Sequence, residues 1–248
     1  MELRRFRADL HIHSCLSPCG ELTMYPRQIV RRARAAGLDI IAVSDHNAGD
    51  NAAATARAAA GMPLTALPAM ELTSEEEVHV VGLFGSLDEF RPVQAAVAEK
   101  LPPAPAKYKF AEDQVIVNEA DEVMGFHPAF LMGATALTIF ELVELIHRHG
   151  GLAVAAHIDR EAFSIISQLG FIPAELAFDA LEISPRLTIP EARATLAADA
   201  RFPLVSFSDA HRPEEIGRAA TDFLLAEPSL TELGKALAGA DGRRIMSS

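Results

Sequence analysis

The sequence is poor in the residues that mark secreted or membrane proteins. Its 248 residues include two cysteines, two tyrosines and no tryptophan. Cys15 and Cys19 could close at most one very small ring, which excludes a disulfide-stapled scaffold. No apolar run approaches the roughly 20 residues needed to cross a bilayer, and the N-terminus lacks the apolar segment of a secretory signal. We therefore expect a cytoplasmic protein with no membrane span.

Positive charge is also scarce. The 22 lysines and arginines stand against 34 aspartates and glutamates, which leaves a formal net charge of −12. Because affinity for duplex DNA comes mainly from basic side chains that neutralise phosphates, this balance predicts no extended nucleic-acid binding. Half of the residues are hydrophobic, which indicates a folded chain with a full core and favours one large domain. The composition leaves the oligomeric state open.

Strand-like and helix-like patterns alternate along most of the chain. Strands are predicted at 7–11, 39–44, 64–69, 78–84, 152–157, 180–183, 204–208 and 221–226, and helices at 26–36, 51–60, 88–100, 139–149, 161–169, 190–198 and 229–237. Near-continuous apolar strands predict a parallel sheet covered on both faces, either a barrel of seven or eight units or an open doubly wound sheet. Residues 102–138 break the alternation, and we expect them to form an insertion or lid over one end of the barrel.

Histidines and carboxylates cluster near the predicted strand ends. His11 and His13 alternate along the first strand, so both imidazoles can reach one ion, and Asp9 on the same side could orient one of them. Similar residues occur at Asp45-His46, Glu71, His79, His157 and Asp209-Ala210-His211. Each alone is explained by a helix cap or a core histidine, but together they lie where α/β folds assemble their sites. Six histidines with two or three carboxylates exceed one tetrahedral zinc site and predict two or three divalent ions of zinc, manganese or iron.

The ordered combination of these segments resembles one known family. The segments DLHIH, SDHN, a glutamate after the third strand, HVVGLF, AAHID and SDAH are similar to those of the PHP (polymerase and histidinol phosphatase) family of metal-dependent phosphoesterases. The resemblance runs from Asp9 to about Gly217. It implies an α/β fold, a distorted TIM-like (β/α)7 barrel, with a single domain over residues 1–248 and the insertion at about 102–138.

The resemblance also implies a ligand set and an activity. Glu71 would be the bridging carboxylate, and Cys19 stands where family members often have histidine or aspartate. The full set of implied metal ligands is His11, His13, Cys19, His46, Glu71, His79, His157, Asp209 and His211. The implied reaction is hydrolysis of a phosphomonoester or phosphodiester by a metal-activated hydroxide, with a small phosphorylated metabolite or short nucleotide as substrate.

Further residues are candidates for catalysis and substrate binding. Glu71 and Asp209 would fix the spacing of the ions, and His211 or Asp45 would pass a proton to the leaving oxygen. Guanidinium groups near the predicted strand ends could clamp phosphate oxygens. The substrate-binding candidates are Arg160, Arg186, Arg212 and, in the insertion, His127.

Two other functions stay open at this point. An amidohydrolase-type enzyme could use the same barrel and metals to hydrolyse C–N bonds, but that architecture usually adds a metal-bridging lysine on a mid-barrel strand. The four lysines fall outside every predicted barrel strand, at Lys100, Lys107, Lys109 and Lys235. A non-catalytic metal-binding module attached to a polymerase is the other alternative, and a chain of 248 residues leaves no polymerase-sized remainder. A free-standing phosphoesterase is therefore favoured.

Overall fold

The computed structural model describes residues 2–103, 114–196 and 201–246. Its strands are β1 Arg4–Ile12, β2 Ile40–Val43, β3 Thr65–Thr73, β4 His79–Leu83, β5 Val115–Val117, β6 Val123–Phe126, β7 Leu152–Ala155, β8 Ala180–Ile183, β9 Leu204–Ser206, β10 Thr221–Leu225 and β11 Arg244–Ile245. Its α-helices are α1 Pro26–Ala35, α2 Ala52–Ala59, α3 Leu87–Ala98, α4 Ile139–Arg148, α5 Ile165–Leu169, α6 Ile189–Thr195 and α7 Leu230–Leu237.

Nine of these strands form one curled sheet in the order β11-β10-β1-β2-β3-β4-β7-β8-β9. The chain that follows β9 returns to β1, where Ala210 forms a parallel bridge with Ile12. The Ser208 amide also donates to the Asp9 carboxylate across 3.0 Å. One buried apolar cluster draws side chains from eight strands, including Leu10, Leu83 and Val205. The sheet therefore wraps around an apolar interior, and its β9 side meets β1.

The predicted α/β class and TIM-like curl are confirmed, but the uniformly parallel sheet is wrong. Four neighbouring pairs are parallel, and the other four, β1–β10, β10–β11, β3–β4 and β4–β7, are antiparallel. A strand buried on both faces has the same apolar pattern whichever way it runs, so the segment around β4 carried no signal of its direction. A strict repeat of seven strand–helix units is not what the sheet shows.

The expected insertion is only partly described, because its residues 104–113 lie outside the described ranges. The described part contains the hairpin of β5 and β6, which forms its own two-stranded sheet. Its backbone is anchored on the site-end loops: the Val115 amide donates to the Cys15 carbonyl at 3.0 Å, and the Val117 amide donates to the Asn51 side chain at 2.9 Å. A lid function stays a prediction. Within the described ranges, no helix has the length and apolarity needed to span a bilayer.

Candidate metal centre

A bulge in β1 decides which of its side chains enter the site. Leu10 belongs to the interior apolar cluster, whereas Ile12 packs outside the sheet in the cluster that contains Ile29 of α1. The pairing of β1 with β2 shifts register between Asp9 and Ile12, and such a shift changes which face successive side chains point to. His11 and His13 therefore point inward together, and Asp9 does not join them. Asp9 instead accepts hydrogen bonds from the backbone amides of Ser208 and Gly217, which corrects the expectation that it orients a histidine.

Glu71 lies at the centre of the histidine cluster and is almost fully buried. Its Oε1 is 2.8 Å from His79 Nδ1, 3.2 Å from His157 Nε2 and 3.3 Å from His11 Nε2. Its Oε2 is 3.1 Å from His46 Nδ1 and 3.4 Å from His13 Nε2. Because each oxygen faces a different group of imidazoles, the position of Glu71 fits the bridging carboxylate that the resemblance implied.

The strand directions explain how Glu71 and His79 reach this centre. Both were expected in parallel strands, with Glu71 just past the end of the third one. The structure places Glu71 inside β3, which continues to Thr73, and His79 at the first residue of β4. Since β4 is antiparallel to β3, its amino end lies beside the carboxyl ends of the parallel strands. His79 therefore joins the cluster from the opposite end of its strand.

Asp209 and His211 complete the cluster on the β9 side. Asp209 Oδ1 lies 3.1 Å from His13 Nε2 and 3.5 Å from His11 Nε2, while Arg160 contacts its other oxygen. The His211 ring stacks on His13 with centroids 4.3 Å apart. His157 and Asp209 both have positive φ, at 28° and 46°, a backbone strain that is concentrated at functional sites.

The residues present fit a group of divalent cations. Four buried ring nitrogens, on His11, His13, His46 and His79, lie 2.8 to 3.4 Å from the Glu71 oxygens yet make no well-aligned hydrogen bond within the described ranges. Leaving buried polar atoms unpaired is costly, and a coordinated ion would satisfy them. Candidate ligand atoms gather within 4.8 Å in three overlapping sets: His11, His13 and Glu71; His46, Glu71 and His79; and His13, Cys19, His46 and His211. Cys19 therefore lies beside three histidines, as the resemblance implied.

The electrostatics of the cluster hold Glu71 and His13 in the form that binds metal. Burial alone would raise the pKa of Glu71, but the imidazoles of His79, His11 and His46 outweigh it and hold that pKa well below the usual range. Burial and the neighbouring His211 lower the pKa of His13 to about 4. Glu71 is thus a carboxylate and His13 a neutral imidazole at neutral pH, the protonation states that coordination requires.

A buried carboxylate that the sequence reading missed orients His11. Glu182 in β8 is fully buried, and its Oε2 lies 2.8 Å from His11 Nδ1. Because a carboxylate accepts here, this contact favours a proton on Nδ1 and turns Nε2 towards Glu71 and Asp209. No local motif marks Glu182, because it follows apolar residues in an ordinary buried strand. The sequence signal that could have identified Glu182 is an acidic residue inside a strand that is otherwise apolar and buried.

Asp45 contacts a second histidine, His13, indirectly through Ser17. Its carboxylate accepts hydrogen bonds from the Ser14 amide, the Ser14 hydroxyl and the Ser17 hydroxyl at 2.6 to 2.7 Å. Ser17 Oγ in turn lies 3.0 Å from His13 Nδ1. Asp45 therefore contacts these two serines and positions His13 through Ser17. The proton-transfer role predicted for Asp45 stays a prediction.

An open cavity of about 790 Å³ lies beside the cluster. Its lining includes the predicted substrate-binding residues Arg160, Arg186 and Arg212, together with Arg218, which the sequence reading missed. The fourth candidate, His127, does not line this cavity, and its Nε2 lies 3.8 Å from Asp50. The cavity thus surrounds the metal-side residues His211 and Asp209 with guanidinium groups.

We expect Glu182→Gln to weaken metal binding by roughly 10- to 100-fold, because the amide cannot hold the proton of His11 as a carboxylate does. Titration of the metal-free protein with Zn²⁺ or Mn²⁺ would measure the change. Glu175→Gln, at an exposed glutamate outside the cluster, is the matched control. Equal affinities for the two variants would show that Glu182 does not orient a ligand.

One family model and several solved structures are similar to this chain. A family model described as PHP-associated matches residues 193–239. A lesion-specific endonuclease from Pyrococcus furiosus superposes with a TM-score of 0.78 at 19% identity, over 98% of this chain and 58% of that one. A putative metal-dependent phosphoesterase from Bifidobacterium adolescentis gives a TM-score of 0.55 at 20% identity, over 82% and 87% of the two chains. A comparison with curated proteins finds no match.

One of these comparisons overturns the expectation about nucleic acids. Endonuclease Q, in complex with a 27-mer duplex substrate that has an abasic lesion at the active site, superposes with a TM-score of 0.79 at 20% identity, over 98% of this chain and 59% of that one. A protein of this fold therefore binds extended duplex DNA, so the argument from net charge was wrong. Net charge sums the whole surface, whereas binding depends on the local arrangement of basic groups.

The chain spans about three fifths of the length of the two endonuclease structures that it matches. The likeness to the solved structures concerns the fold, and the PHP-associated model matches residues 193–239, which follow β8. Both agree with the family inferred from the histidine and carboxylate segments. Together they confirm that this chain resembles the PHP family of metal-dependent phosphoesterases.

Proposed function

We propose that this protein is a metal-dependent hydrolase of phosphate esters and that its substrate is a phosphodiester of DNA. The observation that carries the proposal is the buried Glu71 carboxylate, which lies within 3.4 Å of nitrogens on five imidazoles. The three overlapping ligand sets favour two or three divalent ions. Bound there, such ions would supply a hydroxide nucleophile at neutral pH and neutralise charge on a phosphate.

The protein's own residues divide the remaining work. Arg160, Arg186 and Arg212 line the open cavity and would hold the phosphate oxygens through charge-assisted hydrogen bonds. His211 has the most exposed side chain of the clustered histidines, at 27%, so a substrate can reach it. Its Nδ1 lies 2.9 Å from the Asp209 carbonyl, which fixes the ring and leaves Nε2 to hold or deliver a proton. We assign His211 to protonation of the leaving oxygen, which leaves His13, Cys19 and His46 as the candidate ligands of that set.

The choice of a phosphodiester in DNA rests on two supports. The endonuclease with the same fold holds a lesion-containing duplex at its active site. The cavity at the centre is also broad and open, and it is lined by several arginines instead of a closed apolar pocket. A polymer can enter such a cleft, whereas small metabolites are usually enclosed.

The test is a substrate panel on protein loaded with Mn²⁺ or Zn²⁺, with metal content measured by elemental analysis. We expect hydrolysis of bis(p-nitrophenyl) phosphate and cleavage of duplex oligonucleotides, with p-nitrophenyl phosphate a poorer substrate. Fully loaded protein that hydrolyses no phosphate ester would refute the proposal. Turnover of amides alone would identify the amidohydrolase-type alternative.

A further inference from the structure

A second cationic feature lies outside the metal centre, in a groove between α1 and α2. The groove has a volume of about 760 Å³. Its floor is apolar, and its cationic residues come from both helices. The lining is Arg27, Val30, Arg31 and Arg34 from α1, Arg57, Ala58, Gly61, Met62 and Pro63 from α2 and the following turn, and Glu119. Four arginines thus face one carboxylate, in a protein whose net charge is −12.

The spacing along α1 places its three arginines in a row. Arg27, Arg31 and Arg34 are separated by four and three residues, which puts them on one helical face. All three are exposed, and the row extends for roughly 10 Å at 1.5 Å per residue. One strand of B-DNA carries a phosphate about every 3.4 Å along the duplex axis, so a row of this length is comparable to about three phosphate steps.

The turn of the β5–β6 hairpin holds two of the guanidinium groups in place. Arg27 Nε donates to the Glu119 carbonyl at 2.9 Å, and Arg57 Nε donates to the Glu119 carboxylate at 2.8 Å. Both contacts use Nε, so the terminal nitrogens of Arg27 and Arg57 stay available. The side chain of Arg34 makes no hydrogen bond or ion pair with any residue in the described ranges. Arg31 also donates from a terminal nitrogen to the Gln28 side chain. The groove therefore presents the Arg34 guanidinium and the terminal nitrogens of Arg27 and Arg57 to a ligand.

The position of α1 connects this groove to the metal centre. Because α1 joins the parallel strands β1 and β2, it begins at the end of the sheet that holds the cluster and runs back towards the other end. Arg27 is consequently the arginine of α1 nearest to the metal centre, and Arg34 is the most distant. A polyanion that enters the open cavity could continue along this row.

We propose that the groove between α1 and α2 binds the phosphate backbone of a nucleic-acid substrate outside the metal centre. The inference rests on the proposed function, since it assigns a second contact surface to the same substrate. Arginine donors would bind the phosphates, and the apolar floor would pack against the sugars. The surface would contribute affinity and register along the backbone without reading the base sequence.

The test compares two exposed arginines on the same helix. Arg34→Glu removes a groove guanidinium, and Arg32→Glu is the matched control, because Arg32 is exposed in the same last turn but does not line the groove. Binding of metal-loaded protein to a fluorescent 20-base-pair duplex is followed by anisotropy at several salt concentrations. The slope of log affinity against log salt should fall in magnitude by about 1 for Arg34→Glu and should not change for Arg32→Glu. The double variant Arg31→Glu/Arg34→Glu should lose about tenfold or more in affinity.

One further variant should raise duplex affinity instead of lowering it. Glu119→Gln removes the one carboxylate among the groove-lining residues, so duplex affinity should rise by about two- to fivefold and the salt slope should steepen. Thermal unfolding midpoints close to wild type would show that the variants fold. Equal salt slopes for Arg34→Glu and Arg32→Glu would overturn the groove assignment even if the protein hydrolyses phosphodiesters. Groove-dependent binding without hydrolysis would support the groove and refute the proposed function.

Discussion

Glu71→Gln is expected to lower activity on the best phosphate ester by about 10³-fold or more. Contacts that only orient a metal ligand are worth roughly 10- to 100-fold, whereas Glu71 would ligate the ions itself, since each of its oxygens faces candidate ligand imidazoles. The amide keeps the size of the side chain but loses its charge and one acceptor oxygen. Steady-state kinetics on bis(p-nitrophenyl) phosphate, together with elemental analysis of the purified variant, would measure both effects.

Two further variants distinguish a loss of catalytic activity from a loss of the folded structure. Glu175→Gln makes the same chemical change at an exposed position and should retain wild-type activity and metal content. Asp209→Asn should resemble Glu71→Gln, because Asp209 contacts the same pair of histidines, His11 and His13. Glu71→Gln protein that retains its metal and activity within tenfold of wild type would show that the cluster is not the catalytic centre.

Removal of metal is expected to lower the thermal unfolding midpoint by roughly 8 to 16 °C for each ion lost. An ion present at 1,000 times its dissociation constant stabilises the native state by about 4 kcal/mol, and 1 kcal/mol corresponds to about 2–4 °C in a protein of this size. The physical reason is the set of four buried ring nitrogens around Glu71 that make no well-aligned hydrogen bond within the described ranges. Scanning calorimetry before and after EDTA treatment would measure the shift.

Metal replacement provides the control for this experiment. Zn²⁺ or Mn²⁺ should restore the midpoint, whereas Ca²⁺ should not, because calcium prefers oxygen ligands and this cluster is rich in imidazole. The stabilisation should also weaken as the pH falls, since protons compete with metal for the histidines. An unfolding midpoint unchanged by EDTA, with metal loss verified by elemental analysis, would contradict a role for ions in holding the cluster together.

The location of the candidate metal centre could be predicted from the sequence because strand ends bring distant residues together. All nine residues implied as ligands lie in or beside one cluster, although they are spread from His11 to His211. The alternation in His11-Ile12-His13 and the polar residues that follow apolar strands were sufficient to indicate it. The structure brings these residues close together, and the variants of Glu71 and Asp209 test their roles in metal binding and catalysis.

The finer geometry depends on neighbours that no local pattern specifies. The direction of β4 is set by its pairing with β3 and β7, and this direction brings His79 to the cluster. The same dependence explains Glu182, which matters because β8 places it 2.8 Å from His11, across 171 residues of sequence. Pairings of this kind follow from how the whole sheet closes, so inspection of one segment cannot reveal them.

The sequence by itself determined the α/β class, the ligand types and the end of the sheet at which they gather. These properties follow from residue order, because periodic apolar segments specify strands and helices and the polar residues follow at their ends. Only the tertiary structure decided that the sheet is mixed, that a bulge separates Asp9 from His11, and that arginines from two helices share one groove. Each of these depends on contacts between segments distant in sequence. The net charge of −12 gave no sign of the arginine groove, because a total charge does not show where the basic side chains lie.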